Sequence, residues 1–440
     1  MRILTIVRRL TPGGTERAAQ NCSLAYAADG REVAVLAYEG GGPRAGILQA
    51  AGIPLFIGGG SQEARDRAVE RAAAWGPEVV HIHRTGHAHP PSAAIIRRLK
   101  EQSSRRLPVI ETSHFSRADR TDDRFLFDVH IQLSRWCMWK WQRWARGLKP
   151  PPLGVVVPHM VDTSAFFPAG DEARARFRAE VGVPEHAFLF GRLGQPNLAS
   201  WSPILFRAFA QVAREEERAF LLVVGLPEAL GRSVEALPAP IRRRVIVHPF
   251  LHGDEAVRTG YSALDCFAHA SMAGESFGFV LLEALLCGTP VITVSTPARG
   301  NSQVEVVGHE RGGLVATDAP SMAEAMRRMM REASLRRRLV QQGQAWIRRE
   351  YAPQHITPRL IRLFELALEA DGPEALRGAL EKDETFITHV ERGEIERLMK
   401  HTMGRVSLRD RLLLELGHVP RIHQAFVRAK RIAQRARGRS

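Results

Sequence analysis

Two glutamates interrupt an otherwise apolar stretch of this 440-residue chain. In AHASMAGESFGFVLLEALLCGTPVITV, residues 268–294, Glu275 and Glu283 bracket FGFVLL, and Gly274, Gly278 and Gly288 punctuate it. The segment reads as a strand (DCFAHAS), a loop (MAGESFG) and a helix (FVLLEALLC), with Gly288 stopping the helix and Pro290 just beyond it. Helical residues eight apart lie about 80° from one another around the axis, so both carboxylates can face one side. The glycines let a backbone approach a ligand closely, and the N–H groups from Phe277 through Gly278 and Phe279 to Val280 form an anion site at the helix start. A diphosphate fits there, and carboxylates on either side of it are strong acceptors for hydroxyl pairs. Sugar hydroxyls, diphosphate and ribose hydroxyls, in that order, are the layout of a nucleotide-sugar. The plain alternative makes Glu275 a loop acid near a helix N-terminus and Glu283 an exposed helix residue.

Elements suited to position such a loop recur along the chain. RILTIV (2–7), EVAVLAY (32–38), VVHIH (79–83), PVIETSH (108–114), DVHIQLS (128–134) and GVVVPH (154–159) are short, rich in Val and Ile, and bounded by Gly, Pro or polar residues, which predicts strands. Stretches such as 15–29 and 92–102 are long enough for crossover helices, so the order predicts a parallel sheet wrapped by helices. The pattern restarts with FLFGRL (188–193), AFLLVVG (219–225), RVIVHPF (244–250), DCFAHAS (265–271), PVITV (290–294) and GLVAT (313–317). The fold class expected is therefore α/β, with two Rossmann-like, doubly wound parallel-sheet domains facing a cleft. Ligands in such sheets bind beyond the carboxyl ends of the strands. Residues 321–370 read as helices, and no strand pattern follows them.

Composition narrows the class. At 45% hydrophobic and 25% charged residues the chain is globular, and its length suits two domains plus an extension. No apolar run approaches the ~20 residues of a membrane span, and MRILTIVRRL reads as a first strand and not as a signal peptide. Cys22, Cys137, Cys266 and Cys287 are scattered without metal-ligand or disulfide-framework spacing, so a cytoplasmic setting and no metal or cofactor are expected. The formal net charge is +15, with only six lysines, and points to an anionic partner. Residues 401–440 carry ten Lys/Arg against Asp410 and Glu415, a net of +8, so more than half of the excess is in the tail.

Residues 268–294 resemble the E-x7-E segment of the family 4 retaining glycosyltransferases of the GT-B fold. TPGGTERAA (11–19) is similar to that family's N-terminal glycine loop, ETSHFS (111–116) to the strand ending in a cleft-facing histidine, VPHMVDTSAFFP (157–168) to the interdomain signature, and GRL (191–193) to the opening strand of the donor domain. EYAPQHITPRLIRLFELAL resembles the helix that crosses back to the first domain. The resemblance spans about residues 1–370. It implies an acceptor domain at 1–165, a nucleotide-sugar donor domain at 166–350 and a crossover helix at 351–370, which leaves a helical basic extension at 371–440. It implies that Glu275 contacts the transferred sugar and Glu283 the ribose, and that Phe277, Gly278, Phe279 and Val280 hold sugar and phosphates. Arg192 would neutralise the departing diphosphate, Gly13 and Gly14 would let the N-terminal loop close on the donor, and His114 would line the reacting centre. The implied activity is metal-independent, retaining hexosyl transfer from a UDP- or GDP-linked sugar, with no cofactor.

Two departures from the family pattern stand out. The lysine that usually follows G-R-L is absent from GRLGQPNLASWSP, where Ser200 occupies the nearest matching position and Arg207 is the next cation. His159 and Met160 replace the usual Asn-Gly of the interdomain signature. A degenerate, non-catalytic member therefore remains an alternative. For the acceptor, SRWCMWKWQRWARGLK (134–149) sets Trp136, Trp139, Trp141 and Trp144 among basic residues. With the 401–440 tail, this pattern suits the inner face of an anionic membrane and a lipid-linked or cell-envelope glycan acceptor. The alternatives are an inward-packed tryptophan helix, a soluble sugar acceptor, and, from charge alone, a nucleic-acid binder; no recognition motif supports the last.

Overall fold

The computed structural model describes residues 1–297, 299–403 and 408–416, together with Val419 and Ile422. They form two compact units, Met1–Met160 with Tyr351–Arg392, and Val161–Glu350 with the described residues from Gly393 onward. The expected change of domain at residue 165 thus falls at 160–161.

The first unit is a parallel sheet of β1 (Arg2–Arg9), β2 (Glu32–Gly40), β3 (Leu55–Ile57), β4 (Val79–Arg84), β5 (Val109–Ser113), β6 (Val129–Gln132) and β7 (Gly154–Val156) in the order β3-β2-β1-β4-β5-β6-β7. Side chains alternate across the pleat. Ile3 and Val7 enter one core with Tyr26, Leu360 and Phe364, while Leu4 and Ile6 enter the other with Val69 and Ile96. The first core includes the helix Pro353–Glu369, whose Phe364 meets Tyr26 edge-on with centroids 5.5 Å apart. It also takes in Leu376 and Leu380 of the helix Pro373–Lys382. Residues 371–392 are therefore part of this unit and not of a separate basic extension.

The second unit repeats the design with β8 (Phe188–Leu193), β9 (Ala219–Val224), β10 (Val245–His248), β11 (Cys266–His269), β12 (Val291–Val294) and β13 (Gly313–Ala316), ordered β10-β9-β8-β11-β12-β13 and all parallel. Leu205, Phe209 and Val212 of the helix Ile204–Glu215 share a core with Met322, Met326 and Met329 of the helix Ala319–Arg331. In each sheet the winding direction reverses beside the first strand, between β1 and β4 and between β8 and β11, and such reversals open a crevice at the strands' carboxyl ends. All twelve strands expected from sequence are present, and the edge strand β3 makes thirteen among the described residues.

The tryptophan-rich segment is corrected by the fold. The helix Arg135–Ala145 is capped by Ser134, whose Oγ accepts from Cys137 N at 3.0 Å. It buries Trp136, Trp139, Trp141 and Trp144 to 8% exposure or less. Their spacing fits one wide helical stripe, and apolar area of that size gains more from core burial than from water. These side chains are not available to a membrane or a sugar ring. At the other end of the chain, the helix Arg392–Met403 buries Ile395 and Met399, and Asn301 Nδ2 lies 3.2 Å from Met399 Sδ. Most of the basic 401–440 tail lies outside the described residues. No helix among the described residues is long and apolar enough to cross a membrane.

Candidate functional site

In the second unit the loop after β11 is fixed by glycines. Gly274 has φ +67°, and a Cβ there would collide with the Gly300 carbonyl, so no other residue fits without displacing the Gly300 backbone. Gly278, at φ +97°, is the N-cap of the helix Phe279–Leu286 and offers no side-chain cap. A helix start without a side-chain cap is where a bound anion can take the cap's place. Phe277 is buried, and Phe279 and Val280 are partly exposed at this end.

Glu275 is held on three sides. Its backbone N–H donates to Gln303 Oε1 at 3.2 Å, its carbonyl accepts from Ser302 N at 3.0 Å, and its carboxylate Oε1 meets His269 Nε2 at 2.9 Å. The side chain remains 23% exposed, so the carboxylate is reachable. Glu283 differs. It is 5% exposed and accepts a long hydrogen bond from Tyr261 Oη at 3.4 Å, so it is not the solvent-facing helix residue of the plain alternative. Buried carboxylates are rare, and this one lies about one turn into an eight-residue apolar helix, FVLLEALL.

Arg192, on β8, is almost fully buried. Its guanidinium donates to the carbonyls of Leu193 and, at 2.8 Å, of Ser200, and it stacks 4.9 Å from the Trp201 ring centroid. Burial pulls its pKa down to about 10, against the opposing pull of Glu275. The loop that covers it is stitched to the β11 loop by Ala273 N donating to Ala199 O at 2.9 Å and Met272 N to Trp201 O at 3.2 Å. Ser200, at the place of the missing lysine, therefore contributes a backbone acceptor to Arg192, and Arg207 is exposed on the following helix.

In the first unit Gly13 caps the helix Gly14–Ala28 in an extended conformation, and the Glu16 carboxylate folds back over it, so a Cβ at Gly13 would meet that carboxylate. His114 is buried just beyond β5, with Nε2 3.3 Å from His83 Nδ1 and its ring centroid 5.0 Å from that of His159. Burial pushes His114 down to about 3 and also depresses His83 and His159, so these rings are neutral at pH 7. Donor atoms of Cys22, His81 and His83 lie within 4.8 Å of one another. Yet His81 already meets Tyr26 Oη at 2.9 Å and Thr112 Oγ1 at 2.8 Å, and burial pushes the Cys22 thiol up to about 12. As built this is a hydrogen-bonded core cluster.

Thus Glu275, Glu283, Arg192 and the 277–280 backbone all belong to the carboxyl-end region of the second sheet, while Gly13, Gly14 and His114 belong to that of the first. Sequence reasoning missed His269, Tyr261 and Gln303, each of which touches a predicted residue. A histidine in the last position of a buried strand, six residues before a predicted acid, was the available signal.

Residues 202–346, which include this loop and helix, match the family described as glycosyl transferases group 1. That match covers about a third of the chain. The D-inositol 3-phosphate glycosyltransferase of Corynebacterium jeikeium (strain K411) is 32% identical over 208 residues, covering 46% of this chain and 46% of the relative. That of Segniliparus rotundus is 34% identical over 175 residues, covering 39% and 37%. The chain thus spans about half the length or less of these curated relatives. Among solved structures, Anabaena Alr3699/HepE in complex with UDP-glucose superposes with a TM-score of 0.67 at 17% identity, over 83% of this chain and 99% of that one. WaaG, a glycosyltransferase involved in lipopolysaccharide biosynthesis, gives 0.55 at 15% identity over 81% and 99%. At these identities the likeness is one of fold, and that fold is GT-B.

Proposed function

We propose that this protein moves a hexose-type sugar from a nucleoside diphosphate to a hydroxyl acceptor, with retention of configuration and without a metal ion. The observation that carries the reading is the β11 loop and its helix: a tethered, reachable Glu275, an uncapped helix start and a buried Glu283, all within the fourteen residues that follow β11's end at His269. In this reading the C–O bond to the diphosphate breaks as the acceptor oxygen attacks from the same face, and the acceptor's proton passes to the departing phosphate. Phe277, Gly278, Phe279 and Val280 hold sugar and phosphates through their backbone, and Glu283 binds the ribose. Glu275 orients the sugar and is not a nucleophile.

Arg192 neutralises the leaving group. Its Nε finds no acceptor among the described residues, which supports a missing anionic partner, and the 194–201 loop must yield for the guanidinium to reach it. Gly13 and Gly14 leave room for close approach of the donor, and His114 serves the reaction as a neutral ring that both donates and accepts hydrogen bonds. The donor is UDP- or GDP-linked; the UDP-glucose complex of a structural neighbour supports UDP. For the acceptor, burial of the four tryptophans removes one of the two supports for a lipid-linked glycan at the membrane. The names of the curated relatives favour a soluble, phosphorylated polyol.

The test is thermal stabilisation of the full chain by UDP-, GDP- and ADP-sugars. One nucleotide is expected to raise Tm, and Glu283→Ala to abolish the rise. A folded protein that responds to none of them is a GT-B scaffold without a donor site.

A further inference from the structure

His269 is an unusual residue for its place. The rest of β11, Cys266, Phe267 and Ala268, is apolar and fully buried, and the imidazole itself is 1% exposed. Both ring nitrogens are engaged. Nε2 lies 2.9 Å from Glu275 Oε1, and Nδ1 lies 3.3 Å from Thr293 Oγ1, on the neighbouring strand β12. An ionised carboxylate can only accept, so Nε2 carries the proton and donates, which leaves Nδ1 as the acceptor for the Thr293 hydroxyl. Every atom is then satisfied by one neutral tautomer. Burial, helped by the nearby Arg192 charge, depresses the pKa of His269, in keeping with that neutral form.

We propose that His269 is a positioning residue: with Thr293 fixing its tautomer, it clamps one oxygen of Glu275 and presents the other to the hydroxyls of the donor's sugar. The inference rests on the donor-site reading above. It assigns the discrimination of the sugar, as distinct from the nucleotide, to a strand residue that does not itself reach the ligand. The carboxylate has two oxygens, and His269 holds Oε1. Oε2 is left to meet sugar hydroxyls, and without the clamp the side chain is free to rotate about its terminal bonds. The loop backbone keeps its own anchors at Gln303 and Ser302, so loss of the imidazole frees the carboxylate while the loop stays in place.

The experiment is calorimetric titration of the full-length wild type, His269→Leu and His269→Gln with UDP, UDP-glucose, GDP, GDP-glucose, ADP and ADP-glucose. For the nucleotide that binds, His269→Leu is expected to weaken the sugar-linked form about tenfold and to leave the bare diphosphate within about twofold. His269→Gln, which restores an N–H at similar reach, should recover most of the loss. Equal weakening of both ligands by His269→Leu, with a lowered Tm, makes His269 a merely structural residue and overturns the proposal. So does unchanged affinity for both, or a loss that glutamine does not rescue. A wild type that binds none of the six overturns the donor-site reading itself, and the proposal with it.

Discussion

At the carboxyl ends of β4 and β5 the buried charges pair with one another, Arg84 with Glu111 at 2.7 Å and with Asp119 at 3.5 Å, beside the imidazoles of His81, His83, His114 and His159; beyond β8 and β11 lie the buried Arg192 and Glu283 and the part-exposed Glu275. Both regions form where the winding of a parallel sheet reverses, so topology alone does not distinguish them. The difference lies in what each can satisfy internally. A neutral imidazole donates at one nitrogen and accepts at the other, so histidines, Tyr26 and Thr112 close a network among themselves. A guanidinium only donates, and a carboxylate only accepts. Arg192 borrows two backbone carbonyls and its Nε finds no acceptor among the described residues, and Glu275 shares one oxygen with His269 while its side chain stays 23% exposed. Buried ions with incomplete partners are costly unless a ligand completes them, which is why the proposed donor is assigned to the second region.

The strongest way to break this contrast is Glu275→Gln. The amide keeps the volume and can still meet His269, but it loses the charge that is proposed to order the sugar and that opposes the Arg192 charge. We expect sugar transfer to fall about a thousandfold, about 4 kcal/mol of transition-state stabilisation, with Tm unchanged. Initial rates with a saturating donor check it. Activity within about tenfold of wild type would mean that the carboxylate charge is incidental.

Much of this contrast was legible in the sequence. Twelve strands stood out because runs such as AFLLVV and VITV are apolar, β-branched and sharply bounded, and β3 escaped because Leu55–Ile57 is too short to show a period. Glu275 and Glu283 stood out as charges in an apolar run. What spacing cannot show is which way a side chain is turned. WCMWKWQRW reads equally as an interfacial helix or a core helix, and only the fold reveals that its indoles face inward. Likewise GRL places Arg192 at a strand end, but its capture by the Ser200 carbonyl depends on the course of the loop after it. His269 was hidden because a strand of BBBB burial gives a polar residue no periodic signature.

Both regions hold a histidine depressed by burial, but the first holds four, His81, His83, His114 and His159, and so predicts the steeper pH dependence. His81 and His114 titrate at about 3 in the fold and near 6.5 when exposed. Between those values the unfolded chain binds more protons, so stability is fully present above about pH 6.5 and is lost as pH falls toward 3. Each such histidine steepens the slope by about 1.4 kcal/mol per pH unit. Whatever His81→Phe costs at pH 8, its stability should fall less than that of wild type between pH 6.5 and 5, by about 2 kcal/mol. Urea melts at the two pH values measure this. Parallel losses would show that His81 accepts a proton in the folded state, and the network would not be the neutral one described.

The smallest expected effect sharpens the charged side of the comparison. Ser200 stands at the nearest match to the lysine of the pattern that GRL resembles, and its carbonyl already touches Arg192. Ser200→Lys adds a flexible cation beside the proposed diphosphate position without removing that backbone contact. Partly exposed charge pairs are worth on the order of 1 kcal/mol, so donor affinity should rise about fivefold at low salt, and the gain should shrink as salt is added. If affinity does not rise, a second cation already occupies that role, and exposed Arg207, on the helix that follows the loop, is the candidate. Arg207→Ala would then lower affinity in the wild type by a similar factor, and it would have no effect if Ser200→Lys had succeeded.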